Sequence, residues 1–232
     1  MESDAGLIEA TGLSKVYEMP GESLRVLAGV DLRVRAGETV AVVGPSGSGK
    51  TTLLNLLGAL DHPTSGTITI GGRDIGGFSR EEAAAFRNRS LGFIFQHHHL
   101  LPQCSVLENV LVPRLAGGWE EAPGETEERA RSLLGEVGLQ DRLGHFPYQI
   151  SGGERLRTAV ARALVNRPGL VLADEPTGSL DAGTTGRIAD LLVEMNRKTG
   201  VTLVVVTHNA GLAERMDSYY ELRNGKLERK ER

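Results

Sequence analysis

Cysteine, long apolar runs and basic blocks are all scarce in this sequence, and each scarcity excludes a class of protein. Cys104 is the only cysteine among 232 residues, so no internal disulfide can form, which fits a protein of the reducing cytosol. No apolar run approaches the roughly 20 residues that span a bilayer, and the acidic residues 1–4 lack the apolar core of a signal peptide. The formal net charge is −4 without a basic block, which disfavours nucleic-acid binding. We therefore expect any membrane association to depend on a partner.

Apolar patterning and abundant glycine predict an α/β fold with one shared ligand site. Three segments are apolar throughout, as strands covered on both faces of a parallel sheet are: 40–43, 170–173 and 203–206. Each is followed by polar residues: the glycine-rich loop 44–51, then Asp174 and Glu175, then Thr207 and His208. Because ligands bind beyond the carboxyl ends of parallel strands, we expect these three clusters to form a single site.

The remaining segments predict an antiparallel part and a helical part. Residues 30–34 and 67–70 alternate between apolar and polar side chains, which is typical of half-exposed antiparallel strands. Between Gln96 and Arg157 the strand patterns give way to helical stretches with glycine and proline breaks. The predicted organisation is a single domain over 1–232, with a core lobe (1–95 and 158–232) and an inserted helical lobe (96–157). Residues 117–124 are predicted to form a solvent loop and the charged tail 227–232 to be frayed.

Residues 44–51 match the phosphate-binding pattern G-x-x-x-x-G-K-[ST] between a buried strand and a helix, the context that this motif requires. Backbone N–H groups and the helix N-terminus would hold phosphate, Lys50 would supply positive charge to the β- and γ-phosphates, and Thr51 would offer its hydroxyl to Mg²⁺. A glycine-rich turn without function is the alternative. The candidate nucleotide-binding residues of this loop are Gly44, Pro45, Ser46, Gly47, Ser48, Gly49, Lys50, Thr51 and Thr52.

Two adjacent carboxylates, Asp174 and Glu175, follow the second buried strand. A carboxylate at this place can hold Mg²⁺ through water, and the next can orient and activate an attacking water. An exposed acidic turn before Pro176 would be the simpler interpretation, but the neighbouring phosphate-binding loop favours catalysis.

A third glycine-rich segment, Ser151-Gly152-Gly153-Glu154, precedes a predicted helix. Ser151 and Glu154 have the spacing of a capping box, which explains those two residues. Two glycines in the first helical turn weaken a helix, so they need another reason. Close approach of a phosphate to bare backbone supplies one.

These motifs, in this order, resemble those of the ABC ATPases, and the resemblance covers essentially the whole chain. It implies a P-loop NTPase (RecA-like) core with an antiparallel β subdomain and an inserted helical subdomain. It also implies site residues beyond the phosphate-binding loop. These are Tyr17 as the aromatic that stacks on adenine, Gln96 as a Mg²⁺ ligand linking the lobes, Ser151, Gly152 and Gly153 as the signature motif, Asp174 as a Mg²⁺ ligand with Thr51, Glu175 as the catalytic glutamate, Asp181 in the D-loop and His208 as the switch histidine that contacts the γ-phosphate. Tyr17 could instead be a plain exposed aromatic, and His208 a histidine at a strand end.

Three segments resemble more narrowly the ATPases of lipoprotein-releasing (Lol) systems of bacterial envelopes: 56–66, 91–102 and 164–168. Macrolide-efflux-type and cell-division-type ATPases have similar segments. The resemblance implies ATP and Mg²⁺ as cofactors, a homodimer of ATPase subunits, and a place on the cytoplasmic face of the bacterial inner membrane. Membrane subunits are expected to dock near residues 96–112. Leu156, Thr158 and Asn209 depart from the family pattern, and the first two put the signature-helix contacts in doubt.

Other classes of ATPase share these motifs. The DNA-repair type separates its halves by a long coiled coil, whereas no sustained heptad repeat is visible here. The ribosome-binding type carries two cassettes in one chain, and a non-hydrolysing regulatory cassette would not be expected to keep both Glu175 and His208. The triplet His97-His98-His99 suggests a metal site, but adjacent side chains on an extended segment point to opposite faces, so we expect none.

Overall fold

The computed structural model describes residues 6–116, 121–178 and 182–230, and its strands form two sheets. The strands are β1 (Ile8–Met19), β2 (Glu22–Val34), β3 (Thr39–Val43), β4 (Ser65–Ile70), β5 (Arg73–Asp74), β6 (Leu91–Ile94), β7 (Leu170–Asp174), β8 (Thr202–Thr207), β9 (Ser218–Arg223) and β10 (Lys226–Lys230). The helices are α1 (Lys50–Leu57), α2 (Arg80–Ser90), α3 (Val106–Leu111), α4 (Pro123–Glu136), α5 (Gly152–Leu164), α6 (Ala182–Thr199) and α7 (Ala210–Ala213). Short 3-10 turns cover Val112–Ala116, Gln140–Arg142 and Pro147–Gln149.

The larger sheet confirms the parallel arrangement predicted from the three apolar runs. Its six strands lie in the order β10-β9-β3-β8-β7-β6, and all neighbours are parallel except the pair β9–β10. The three predicted strands are β3, β8 and β7, which are adjacent in that order. Their carboxyl ends therefore meet at one edge of the sheet, where the polar clusters follow them.

The smaller sheet is antiparallel, in the order β2-β1-β4-β5, as the alternating segments predict. Val30, Leu32 and Val34 are buried, whereas the residues between them face solvent. The inward side chains of this sheet join α1 and one face of the larger sheet in a single apolar cluster that includes Leu53 and Leu57. Helix α1 is thus fixed from both sides, and the loop that precedes it is fixed with it.

Helices α3, α4 and α5 pack on one another, and α5 also packs on β6. The three helices share a second apolar cluster with the other face of the larger sheet. Val110, Leu134 and Leu156 are fully buried there. The predicted lobe boundary between residues 157 and 158 falls inside α5, and the division into lobes stays a prediction. Within the described ranges, no helix has the length and apolar character needed to cross a membrane.

Two expectations about irregular segments are wrong. Lys226–Lys230 is not frayed but forms β10, because Leu227 pairs with Leu222 and the Lys230 ammonium lies 2.9 Å from the Glu221 carboxylate. The histidine triplet is not extended, since His98 and His99 have φ of 59° and 46°. Of the predicted loop, residues 117–120 lie outside the described part of the chain, as do 231–232, and Pro123 already begins α4.

Candidate active site

The loop between β3 and α1 requires glycine for two separate reasons. Gly47 and Gly49 have φ of 78° and 101°, which side-chain-bearing residues rarely adopt. Gly44 lies so close to β9 that a Cβ at this position would clash with the Leu222 carbonyl oxygen. The loop is therefore packed closely against β9. It leads directly into α1, whose N-terminus favours an anion.

Lys50 is buried with its ammonium held inside this loop. Its Nζ donates to the carbonyl oxygens of Gly44 at 2.9 Å and Pro45 at 3.1 Å. It also lies 3.7 Å from Glu175 Oε1. The Ser48 hydroxyl oxygen is buried and finds no hydrogen-bond partner among the described residues. A cation and an unsatisfied hydroxyl in a glycine cradle fit a phosphate group.

Oxygen atoms suited to a divalent cation converge beside the loop. The Thr51 hydroxyl donates to Asp174 Oδ1 at 3.3 Å. Burial raises the pKa of Asp174 above its ordinary value, against the opposing hydrogen bond from Thr51. A nearby cation would stabilise the charged form of such a buried carboxylate. Hydroxyl and carboxylate oxygens are the ligands that Mg²⁺ prefers. The Gln96 amide lies beside Gly178 and Glu175, since a Cβ built on Gly178 would lie 3.3 Å from the Gln96 Nε2 and 3.7 Å from the Glu175 Cβ.

Glu175 and His208 form a close pair at the same edge of the sheet. Glu175 Oε2 accepts the His208 backbone N–H at 3.1 Å and lies 2.9 Å from His208 Nδ1. Glu175 has a φ of 42°, and its N–H donates to the Val206 carbonyl at 2.9 Å. The carboxylate thus stands between the loop lysine and the histidine, where it can take a proton from a water molecule.

Tyr17 lies on β1 with 36% of its surface exposed. Its hydroxyl donates to Asp61 Oδ2 at 2.8 Å, and the Thr52 side chain is a second hydrogen-bonding neighbour. Since Thr52 belongs to α1, the aromatic side chain and the phosphate-binding helix are neighbours. This placement suits an aromatic that stacks on a nucleotide base.

The segment 151–154 begins α5 with the predicted capping box. The Ser151 hydroxyl accepts from the Glu154 N–H at 3.2 Å, and Glu154 Oε2 accepts from the Ser151 N–H at 2.8 Å. These hydrogen bonds, together with Arg142 Nε at 3.2 Å, lower the pKa of Glu154 to about 2. No hydrogen bond among the described residues links Ser151, Gly152 or Gly153 with the loop 44–51. Asp181, with Ser179 and Leu180, lies outside the described residues.

The three departures from the family pattern have local structural explanations. Leu156 is fully buried in the helical core, so it packs rather than binds. The Thr158 hydroxyl donates to the Glu154 carbonyl at 2.9 Å within α5. Asn209 caps α7 by accepting the Leu212 N–H at 3.1 Å. None of these three interactions involves the loop 44–51.

Sequence reasoning missed several residues that shape the site. Leu222 was unnoticed because its role lies in a backbone carbonyl. Lys15 and Tyr17 lie two residues apart on one strand, but nothing in the sequence indicates that both contact Asp61. Arg162 donates to the carbonyls of His98 at 2.6 Å and His99 at 2.7 Å, and so ties the segment after Gln96 to α5.

The chain is similar to known proteins over most of its length. Residues 27–178 match the sequence family described as ABC transporter. The chain is 48% identical over 221 residues to the lipoprotein-releasing system ATP-binding protein LolD of Syntrophus aciditrophicus, covering 95% of this chain and 98% of that protein. It is 51% identical to the LolD protein of Nitratidesulfovibrio vulgaris, covering 95% and 94%. A dimeric structure of the ATP-binding cassette MJ0796, in a post-hydrolysis state bound to ADP and Pi, matches with a TM-score of 0.88 at 37% identity, covering 97% of this chain and 98% of that one.

Proposed function

The chain belongs to the ABC transporter family and is an ATP-binding and ATP-hydrolysing subunit, and we propose that it powers lipoprotein release from a bacterial inner membrane. The proposal assigns it to the cytoplasmic face, as a homodimer bound to membrane-embedded subunits. It rests on near full-length similarity to LolD proteins from different bacteria. The observation that carries the catalytic part is that Glu175 contacts both Lys50, at 3.7 Å from Nζ to Oε1, and His208, at 2.9 Å from Nδ1 to Oε2.

The proposed chemistry divides between Lys50, Glu175 and His208. Lys50 exchanges its two loop carbonyls for phosphate oxygens when ATP binds, which compensates their negative charge. Glu175 orients the attacking water and takes its proton as the water oxygen bonds to the γ-phosphorus and the bond to the ADP oxygen breaks. His208, which is paired with Glu175 Oε2, would contact the γ-phosphate and hold the carboxylate in position.

Mg²⁺ would be held by Thr51, Asp174 and Gln96, whose oxygen atoms are the appropriate donors. When bound, the ion would neutralise charge on the β- and γ-phosphates. The hydrogen bond between the Thr51 hydroxyl and Asp174 Oδ1 keeps these two oxygens together. The roles of these three residues are part of the proposal.

We propose that the signature loop, which is the motif at residues 151–153, acts on the nucleotide of the partner subunit. The first turn of α5 leaves backbone N–H groups of Gly152 and Gly153 free to bind an anion. The phosphates in the same chain are surrounded by the loop 44–51. In a symmetric head-to-tail pair, each α5 would complete the site of the other subunit, and the dimeric cassette that this chain resembles suits that arrangement.

A cavity of about 410 Å³ beside the Gln96 segment is the proposed docking site for the membrane subunits. Leu60, Phe95, His99 and Arg162 contribute to its lining, so both the core and α5 border it. Its occupant would be a cytoplasmic segment of a membrane subunit, which could transmit the state of Gln96 through residues 96–112. In a Cys104→Ser background, cysteines at Leu101 and Leu115, both exposed, should crosslink to such a segment, whereas one at Glu228 should not.

Reconstitution tests the function directly. The chain would be purified from membranes with its bound subunits and placed in vesicles that carry an acylated lipoprotein. ATP-dependent release of that lipoprotein, lost in Glu175→Gln, is the expected result. ATP hydrolysis without release, but with stimulation by a macrolide, would favour an efflux system instead. A chain that co-purifies with no membrane subunit would contradict the proposal and favour a non-transport ATPase.

A further inference from the structure

The Asp61 carboxylate joins two side chains of β1 beside the proposed base-binding surface. Asp61 Oδ1 accepts the Lys15 ammonium at 2.7 Å, and Asp61 Oδ2 accepts the Tyr17 hydroxyl at 2.8 Å. Lys15 and Tyr17 are two residues apart on one strand, and they project from the same face because both side chains reach Asp61. Lys15 Nζ also lies 4.8 Å from the centre of the Tyr17 ring. Three side chains thus form one closed cluster.

The cluster is anchored on both sides. Lys15 Nζ donates a second hydrogen bond to the His62 carbonyl at 2.8 Å, and the Lys15 side chain is only 12% exposed. The backbone beneath Tyr17 is held as well, because Val16 N–H donates to the Thr64 hydroxyl at 3.0 Å. Burial would raise the pKa of Asp61, but hydrogen bonds from Lys15, Tyr17 and the His62 backbone hold it below its ordinary value. Asp61 is therefore charged at neutral pH.

We propose that Asp61, together with Lys15, is a positioning residue that holds the Tyr17 ring ready to stack on the adenine base of ATP. This inference rests on the proposed role of Tyr17. Lys15 covers one face of the ring, so a base stacks on the surface that remains open. Fixing the ring beforehand removes the entropy loss that a free aromatic side chain would suffer on binding. The cation also polarises the ring, and Thr52 links it to the helix that follows the phosphate loop.

The first test separates base binding from phosphate binding. The affinity of Asp61→Asn for Mg·ATP is compared with its affinity for Mg·tripolyphosphate, which has no base. We expect ATP affinity to fall by about three- to tenfold, as loss of a preorganised side chain does, and tripolyphosphate affinity to stay unchanged. Glu18→Gln is the matched control: it removes an exposed carboxylate next to Tyr17 on the other face of β1 and should change neither affinity. Equal weakening for both ligands, or none for either, would overturn the inference.

Substitutions of Tyr17 provide the second test and do not depend on the folding of the Asp61 variant. Tyr17→Phe keeps the ring but removes its bond to Asp61, so it should show the same ATP-selective loss. In Tyr17→Phe/Asp61→Asn the losses should add only in part, because Tyr17→Phe removes the hydrogen bond that Asp61→Asn weakens by taking away the carboxylate charge. Tyr17→Ala should lose more than either. If Tyr17→Ala weakens ATP binding but Tyr17→Phe and Asp61→Asn do not, the positioning role is wrong while the base contact stands. Wild-type affinity in Tyr17→Ala would remove Tyr17 from the ATP site altogether.

Discussion

At the scale of single residues, the active site depends on side chains held in unusual surroundings. Glu175 occupies the left-handed backbone region at φ 42°, an arrangement that costs roughly 1–3 kcal/mol and that persists only where neighbours enforce it. Its N–H bond to Val206 and the bond from Gly178 N–H to its carbonyl provide that enforcement. The first bond comes from the neighbouring strand β8, and the second comes from the turn that follows β7. The carboxylate is consequently aimed by the backbone as well as by His208.

Glu175→Gln should retain ATP binding and lose hydrolysis by at least about 100-fold, because an amide of the same size cannot take a proton from water. Steady-state ATPase assays and a nucleotide titration measure the two effects separately. Glu214→Gln, at an exposed glutamate after α7, should leave both unchanged. ATPase activity near that of the unsubstituted protein would show that Glu175 is not the base.

Lys50→Ala should weaken nucleotide binding itself by about tenfold or more, because a charge-assisted contact to phosphate is lost. It also leaves Glu175 without its cationic neighbour at 3.7 Å, which adds repulsion toward ATP. Nucleotide titration measures the affinity, with Lys198→Ala, at an exposed lysine of α6, as the control. Unchanged affinity would remove Lys50 from the phosphate site.

At the scale of elements, α5 begins at the proposed signature loop and continues as a helix with a buried face. Its capping box satisfies two end groups, and its inward face carries Leu156, Val160 and Leu164 into the helical core. Arg162 then ties this helix to the carbonyls of His98 and His99. Motion of the segment after Gln96 would therefore reach the signature loop through a rigid helix.

The capping box predicts a pH-dependent loss of stability in Glu154→Gln. The pKa of Glu154 is about 2 in the folded protein, below its ordinary 4.5, so its contribution to stability is present above that ordinary value. It is lost as pH falls toward 2. The difference in unfolding free energy between Glu154→Gln and the unsubstituted protein should thus be largest above pH 5 and shrink between pH 5 and 3. Denaturant titrations measure it, with Glu128→Gln on α4 as control. A difference independent of pH would contradict the assignment.

The elements that sequence predicts well are those defined by local patterns. Residues 40–43 are all apolar and are followed by a complete phosphate-binding motif, so the strand, the loop and the helix could all be predicted. The capping box at Ser151 was readable for the same reason. β10 was not, because its stability comes from pairing with β9 and from the contact of Lys230 with Glu221. The turn at His98 and His99 depends on Arg162, which is remote in sequence.

At the scale of the whole molecule, the proposed dimer requires each chain to contribute to two nucleotide sites. Lys50, Thr51, Asp174 and Glu175 converge at one edge of the large sheet. The N-terminus of α5 belongs to the helical part and makes no hydrogen bond to that edge within the described residues. In the proposed dimer, the phosphate loop and the signature loop of one chain would therefore serve different nucleotides.

Mixing two inactive variants should restore activity if the sites are composite. Gly153→Asp places a carboxylate where the γ-phosphate of the partner would lie, and repulsion should inactivate the homodimer. Lys50→Ala should inactivate its own homodimer for lack of nucleotide. In the mixed dimer, the intact Lys50 of one chain meets the intact Gly153 of the other, so one working site remains. ATPase assays across mixing ratios should peak near equal amounts. Full activity in the Gly153→Asp homodimer would defeat the arrangement.

The same arrangement predicts that activity depends on association. ATPase activity of the isolated subunit should rise more than linearly with protein concentration while the dimer is partly dissociated. Sedimentation at the same concentrations would locate that range. Activity strictly proportional to concentration throughout it would show that one chain suffices.

The position of β3 in the large sheet also determines when the phosphate loop can form during protein synthesis. β3 is made early, at residues 39–43, yet both of its neighbours, β8 and β9, lie beyond residue 200. Gly44 rests against Leu222 of that late strand. At ordinary translation rates, the loop waits on the order of ten seconds or more for these partners to leave the ribosome. ATP therefore cannot stabilise the nascent chain during most of its synthesis, and a chain stalled before residue 218 should still fail to retain nucleotide.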